Sequence, residues 1–546
     1  MNKPLLLSLA AATILTSSLN AESMYERIQS MELKMKQMQE ELVTLKSKDT
    51  QAVEEEVEEE ADEDADDEEA TTAEDADSED EDSDSEDDDS EDSDDEDEDE
   101  EITIEERIAE MEESIFELSK ATNGSHLKFN IDYRVALDNL QYKMADGSEQ
   151  GNNAFLTNRF WINMSWKATD NLSFSGQLAY NKAFGERSNS YGPLESFDWV
   201  ENENPAGHGL NIRSAYFLYK NDTFLGSDIP WTFSIGRRPS TNGHLINLRE
   251  DDGASSPMGH TINVEFDGIS SKFSLEDVIG VEGMYVKFCA GRGMTNASDK
   301  FSPAPYDGTD GSGTNTAPSN PDIDLGGLIF VPYDDGQYAV ATQYYYANNL
   351  IDVKNPGDFS QGFDTVGGIH SVTANLTLNG IGDEWSDYLD DTFFFVSGAM
   401  SVTNPLEGKS MLGRTDSVTG YSAWAGLQMP SFITEDGRWG LEYNQGSKYW
   451  RSITYAEDTS IGSKVATRGQ AYEVYFTEPI VEDILTFQIR ATYIDYKYAG
   501  SNGFFGGSAD GSTGTGTPFE ISDTMGNSSL YVDTAQDIRF YLRYRY

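Results

Sequence analysis

Arg539, Arg543 and Arg545 are separated only by even intervals, and Phe540, Leu542 and Tyr544 stand between them. A strand points alternate side chains to opposite faces, so Ile538, Phe540, Leu542, Tyr544 and Tyr546 share one face. Asp537, Arg539, Tyr541, Arg543 and Arg545 share the other. Such a strand can meet lipid on one side and act on ions in water on the other. The same parity puts Lys128, Arg134, Arg159, Arg213 and Arg490 opposite apolar faces, together with the acids Glu265, Glu442 and Glu473. A further set, Arg238, Arg249, Glu250, Asp251 and Asp252, falls in a connection between two such segments. Fixed charges of both signs facing one another across water set up a transverse field, which orients polar solutes and filters ions by charge.

Nothing in the chain points to catalysis. The five histidines, His126, His208, His244, His260 and His370, have no HExxH spacing, and neither a GxSxG elbow nor a Walker loop occurs. Cys289, the only cysteine, rules out an internal disulfide, cysteine-based zinc sites and CxxCH haem attachment. It reads as a small buried or lipid-facing residue. No metal or cofactor is expected. The glycine-rich stretches 307–316 and 502–517 read as loops rather than ligand cradles.

The elements that position these charges are period-2 segments. The first spans 127–138, with Leu127, Phe129, Ile131, Tyr133, Val135 and Leu137 alternating against polar neighbours. Others lie at 155–168, 172–184, 210–220, 231–237, 261–269, 281–290, 325–332, 337–346, 368–378, 392–401, 420–428, 437–445, 470–478, 485–496 and 530–546. This makes sixteen strands, each about long enough to cross an apolar band when tilted. The weak segments 231–237 and 325–332 leave fourteen or eighteen open. The connections sort by parity. The odd ones, 139–154, 185–209, 238–260, 291–324, 347–367, 402–419, 446–469 and 497–529, are long, and the even ones are short. A soluble sandwich has no reason to sort them so, whereas a membrane barrel has long loops on one side and turns on the other. In lipid a strand edge finds no water to pair with, so the sheet must close. Trp161, Trp166, Trp231, Tyr344–Tyr346, Trp439, Tyr493 and Tyr496 are expected in interfacial girdles.

The last strand, ending on Tyr546 at the apolar parity, resembles the closing strand of bacterial outer-membrane barrels. The resemblance implies that Phe540, Leu542, Tyr544 and Tyr546 form a C-terminal signal for the barrel-assembly machinery. Residues 127–268 resemble a porin-like bacterial outer-membrane family of unknown function. The pieces that carry this are NRFWINMSWKATDNLSFSGQLAYNKAFG, ESFDW, IRSAYFLYK, SIGRRPSTNGHLINLRED and FDG. It covers about a third of the chain well and the remainder by pattern. It implies an outer-membrane barrel with a channel role, and brings no substrate or functional residues.

In a closed barrel the last strand pairs with the first, so strands fifteen, sixteen, one and two form one basic wall. The expectation is that the third long connection folds into the lumen and sets Glu250, Asp251 and Asp252 against that wall, alongside Arg238 and Arg249. The alternative is that its charges face solvent.

The region before the barrel is different. Residues 1–21 read as a secretory signal with an apolar core Leu5–Leu15, too short to span a membrane. Residues 22–50 carry Met24, Ile28, Met31, Met35, Met38, Leu42 and Leu45 at 4-3 spacing, a coiled-coil seam. Residues 51–101 are acidic and low in complexity; 51–100 alone hold 34 Asp and Glu with no Lys or Arg, which predicts disorder. The tract reads as a solvated spacer or, more sharply, as a weak sponge for divalent cations. Residues 102–122 repeat the seam with Ile104, Ile108, Met111, Ile115 and Leu118. These helices predict self-association, a trimer among the options, or packing on the barrel mouth. From 121 onward 52 acidic residues face 29 basic ones, so no basic surface could follow a nucleic-acid backbone.

The chain therefore reads as an all-β, transmembrane antiparallel β-barrel of about sixteen strands over 123–546. An α-helical coiled-coil extension interrupted by a disordered acidic tract precedes it and lies in the periplasm. The partners are outer-membrane lipid and further copies of the chain. The leading function is a porin-like channel for passive diffusion of small hydrophilic solutes or ions. A structural envelope anchor with a plugged lumen is the alternative, and a scaffold for a separate electron-transfer protein is a third.

Overall fold

The computed structural model describes residues 127–184, 210–240, 243–253, 255–294, 322–353, 363–382, 385–454, 459–499, 517–521 and 531–546. The signal peptide, both helices and the acidic tract lie outside these residues, as do 307–316 and most of 502–517.

Sixteen long strands run in order: β1 (Lys128–Met144), β2 (Glu149–Lys167), β3 (Leu172–Ala183), β4 (Asn211–Asn221), β5 (Trp231–Ser240), β6 (Ile262–Ser274), β7 (Tyr285–Met294) and β8 (Ile323–Asp334). They continue as β9 (Tyr338–Val353), β10 (Phe363–Asn379), β11 (Phe393–Pro405), β12 (Thr419–Pro430), β13 (Arg438–Gly446), β14 (Gly469–Val481), β15 (Leu485–Tyr496) and β16 (Val532–Arg545). Each pairs antiparallel with its neighbours in sequence. β16 pairs with β15 on one side and β1 on the other, so the sheet closes without an edge. The seam is sealed by Tyr546 and Ile131, whose backbone N–H groups each donate to the other's carbonyl, at 2.9 and 2.7 Å.

The weak segments 231–237 and 325–332 are both strands, which fixes the count at sixteen. At one end the connections are tight: 168–171, 222–230, 275–284, 335–337, 380–392, 431–437 and 482–484. At the other end 184–210, 241–261, 295–322, 447–468 and 497–531 are long, but 354–362 and 406–418 are no longer than 380–392, and 145–148 is a tight turn. The expected loops over 139–154 and 347–367 are thus shortened, because β1 and β2 run on to 145–148 and β9 and β10 to 354–362. The inward alternation does not stop at Asp138. Leu140 stays buried in a cluster with Ile461, Ile494 and Ala535, so the hairpin keeps a covered apolar side and remains extended.

The outward face is apolar and open. Phe129 is 62% exposed, Leu542 48% and Phe288 52%, and Phe217, Ile235, Ile269, Leu441 and Tyr493 are similarly bare. Apolar surface this extensive is unsuited to water and suits lipid. Phe540, Leu542, Tyr544 and Tyr546 all lie on this face. Three expected girdle residues do not. Trp161 and Tyr345 sit at the opposite parity from their neighbours and are buried inside the barrel, and Tyr496 packs half-buried on the inward cluster of Leu140, Ile461 and Ile494. Cys289 is half-buried on the inward face of β7, opposite the buried Ser270.

Two connections from the loose end turn into the lumen. The first, between β5 and β6, contains the short helix α1 (Ile246–Glu250). The second, 447–468 between β13 and β14, places Ile453–Thr454 parallel to the start of β6. Leu245 and Ile246 of the first and Val465 of the second pack with Phe395 and Trp424 of the wall. A larger apolar cluster joins Ile453 to Val264, Tyr345, Leu350, Val366 and Met411. The interior of the barrel is thus packed in part like a soluble protein core, with these two segments as its filling.

Candidate functional site: the charged lumen

Register sets the arginine wall. Arg134 lies directly opposite Arg543 on one side and Arg159 on the other, and Arg490 lies opposite Arg539. Like charges in facing positions destabilise a sheet unless acids intervene. Here they do. Asp132 is 3.4 Å from Arg159 and accepts from Arg543 Nε at 3.0 Å, and Asp138 pairs with Arg539. Across from Asp132, Arg213 is 3.5 Å from Glu265, which Arg237 also reaches at 2.9 Å. The Arg159 and Arg213 guanidinium groups cover the Trp161 ring, 3.6 and 4.3 Å from its centroid. Trp161 is therefore a platform for cations within the lumen rather than an interfacial anchor.

The α1 connection supplies the remaining counter-charges. Glu250 is 3.0 Å from Arg490 and 3.8 Å from Arg134. Asp252 is 2.8 Å from Arg543, and Asp251 lies 2.7 Å from both Arg545 and Arg438. The wall also reads the backbone. Arg543 Nη1 donates to the Glu250 carbonyl at 2.6 Å, Arg545 Nη1 to the Asp251 carbonyl at 2.8 Å, and Gln488 Nε2 to the Arg249 carbonyl at 2.8 Å. The last carbonyls of a helix have no partner within it, and on this five-residue helix the wall provides them. Asp251 caps it in the left-handed conformation, φ 53°.

Arg249 runs the other way. It reaches Glu473 at 3.3 Å and Glu250 at 2.8 Å. Glu473 stands directly opposite Glu442 in register, and Lys464 of the second infolded segment bridges the two, 2.6 Å from Glu442. Thr492 donates to Glu473 at 2.7 Å. Arg249, Glu250, Lys464, Glu473 and Arg490 are all closed off from solvent. Removing one partner from such a set leaves an uncompensated buried charge, which costs on the order of 3–5 kcal/mol.

Below this level, toward the tight-turn end, a cavity of about 380 Å³ opens among Asp132, Trp161, Gln177, Arg213, Asp252 and Arg543. Above it, His260 of the α1 connection is sealed between Ser397 and Ser422, whose hydroxyls lie 2.7 and 2.9 Å from its two ring nitrogens. The edges of Trp424 and Trp450 flank it. Burial lowers its pKa from 6.5 to about 3, so at neutral pH the ring is neutral and fits one donor and one acceptor serine. Burial likewise lowers His244 on the same connection, with the charge of Asp334 opposing.

The structure thus brings Arg134, Arg159, Arg213, Arg249, Glu250, Asp251, Asp252, Arg490, Arg539 and Arg543 into one continuous network. Arg238 is apart. β5 extends through Ser240, so Arg238 belongs to the wall and not to the connection, and it lies over the Tyr216 ring, 4.5 Å from the centroid, rather than against the loop acids. Sequence reasoning missed Lys464, Trp450 and the inward course of 447–454 and 459–468. The available signal was the facing pair Glu442 and Glu473, which requires a cation from somewhere.

A closed sixteen-stranded antiparallel barrel with an apolar outer band and a charged interior is a porin-like barrel of the bacterial outer-membrane kind. The chain belongs to the family described as protein of unknown function DUF3373, whose model matches residues 149–546. No curated protein matches it. Among solved structures it is similar to OmpT of Vibrio cholerae, an outer membrane protein folded in vitro, in its trimer form, with 12% identity, TM-score 0.39, and 77% of this chain and 99% of that one covered. It is similar to the Salmonella typhi OmpF complex with daunomycin at 12% identity, TM-score 0.40, and coverage of 78% and 98%. It is also similar to the high-pH structure of Pseudomonas putida OprB at 12% identity, TM-score 0.42, and coverage of 79% and 97%.

Proposed function

We propose that this protein is an outer-membrane channel for passive diffusion of small hydrophilic solutes or ions, held closed by its two infolded segments. The carrying observation is the opposition of Glu250, Asp251 and Asp252 to the arginine wall, with a cavity leading up to it from the tight-turn end. A lumen kept only as a scaffold has no need of such charges, since apolar residues of similar volume serve stability as well or better. The tight-turn end faces the periplasm in this reading, with the N-terminal extension there, and further copies of the chain associate through its helices. In the same reading the protein is not an enzyme.

A second reading, a structural anchor with a permanently plugged lumen, is favoured by one observation: Arg249, Glu473, His260 and Trp450 are wholly excluded from solvent. Single-channel recording in planar bilayers separates the two. The wild type and Glu473→Gln, which loosens both segments, are compared under a salt gradient. Stepwise conductance that becomes larger or more frequent in the variant supports the gated channel. Silence from both, with strand-rich circular dichroism intact, supports the anchor.

A further inference from the structure

The arginines of the wall are matched by carboxylates, but a second group of inward cations is not. Arg238 on β5, Lys272 on β6 and Lys287 on β7 make no ion pair among the described residues. Arg238 donates to Ser234 Oγ and covers Tyr216, Lys272 lies 4.0 Å from the Tyr285 ring centroid, and Lys287 donates to Ser256 Oγ. Register draws the three together. Ser234 faces Ser270, their hydroxyls 2.9 Å apart. The Arg238 guanidinium is therefore held at the level of that pair. Lys272 is the next inward position down from Ser270, and Lys287 stands directly opposite Lys272. Lys287 feels the charges of both Arg238 and Lys272. The acid whose charge reaches Lys272 is Asp334, an exposed residue at the end of β8. All three cations are half-buried.

Three cations gathered around three serine hydroxyls and two aromatic rings, with no carboxylate paired to them among the described residues, repel one another unless an anion joins them. A tetrahedral oxyanion suits the donors present: a planar guanidinium fork, two ammonium groups and the serine hydroxyls beside them. We propose that Arg238, Lys272 and Lys287 form a binding site inside the barrel for a multivalent oxyanion of the phosphate class. Binding there does not depend on whether the barrel conducts, so the site and the channel reading stand or fall separately.

The test is isothermal titration of the detergent-purified full chain with inorganic phosphate, and with sulfate in a second arm. Lys272→Met and Lys287→Met should each weaken phosphate binding at least tenfold. Lys409→Met, which removes a lysine paired with Asp364 outside the cluster, should leave it unchanged. Asp334→Asn retains all three cations and removes the opposing acid, so it should tighten binding severalfold; this guards against loss by misfolding. Sulfate bound at the same site supports the oxyanion class. No binding by the wild type at millimolar phosphate, or equal affinity in both lysine variants, overturns the proposal.

Discussion

Arg249 and Glu473, separated by 224 positions in the chain, meet 3.3 Å apart in the middle of the lumen. Glu473 also holds Lys464, so one carboxylate of the wall secures both infolded segments. The first segment is tied again by Glu250, Asp251 and Asp252, and the second by Lys464 to Glu442. The closed lumen is in this sense a set of interlocked buried ion pairs, and such pairs are strongly destabilising when halved.

Glu473→Gln halves two of them at once. The expected loss of local stability for 243–253 and 459–468 is on the order of 3–5 kcal/mol, as for a buried pair deprived of one partner. Hydrogen exchange of the two segments reads it directly. Arg249→Met combined with Glu473→Leu removes both charges and should cost less than Glu473→Gln alone. Equal protection in wild type and Glu473→Gln would refute the interlock.

Asp251 and Asp252 set the charge of the cavity mouth. Asp251→Asn with Asp252→Asn removes both carboxylates that pair with Arg545 and leaves Asp132 as the carboxylate paired with Arg543. In a conducting background such as Glu473→Gln, the reversal potential under a salt gradient should move toward anion selectivity. The shift should be larger at 0.1 M salt, where the screening length is about 10 Å, than at 1 M, where it is about 3 Å. An unmoved reversal potential would separate these acids from the ion path.

Much of the wall is legible in the amino-acid sequence. Alternation alone assigns Arg134, Arg159, Arg490, Arg539 and Arg543 to one face, and closure of the barrel makes their strands neighbours. The period-2 segments give about sixteen strands, and the sorting of connection lengths gives the end at which the longest loops gather. What alternation does not give is the course of 447–454 and 459–468. A connection that fills a lumen has no period, and its buried residues, Trp450, Ile453 and Lys464, are scattered like those of a solvated loop. Strand ends are blurred too. Arg238 reads as a loop residue because Gly236 and Pro239 interrupt the pattern, although pairing continues through Ser240. Residue type alone puts Trp161 in a girdle, where its parity with Arg159 already points inward.

Ile246→Ala tests the apolar half of the seal. Ile246 is fully buried with Leu245, Phe395, Trp424 and Val465, so truncation leaves a cavity between both segments and the wall. A loss of about 2–5 kcal/mol is expected for such a change, and Ile246→Val should cost only about 1 kcal/mol. Protection of 243–253 against exchange should fall in that order. If the two variants behave alike, packing at Ile246 does not hold the segment.

His260 gives the seal a pH dependence. Its folded pKa is about 3, depressed from 6.5 by burial alone, with no charged group contributing to the shift. Between pH 6.5 and 3 a released segment therefore binds a proton that the seated segment does not. The contribution of His260 to the seated state is complete above pH 6.5. It is lost as the pH falls toward 3, at about 1.4 kcal/mol per pH unit for a single group. Acidification should loosen the segment from β5 to β6 ahead of the barrel strands. His260→Asn keeps a hydrogen-bonding side chain between Ser397 and Ser422 but has no proton to gain. Protection of 255–261, corrected for the intrinsic rate of exchange and followed at pH 7, 6 and 5, should fall more steeply in the wild type than in the variant. Parallel slopes would mean that the ring is protonated in place, and that the serines and tryptophans around it tolerate the charge.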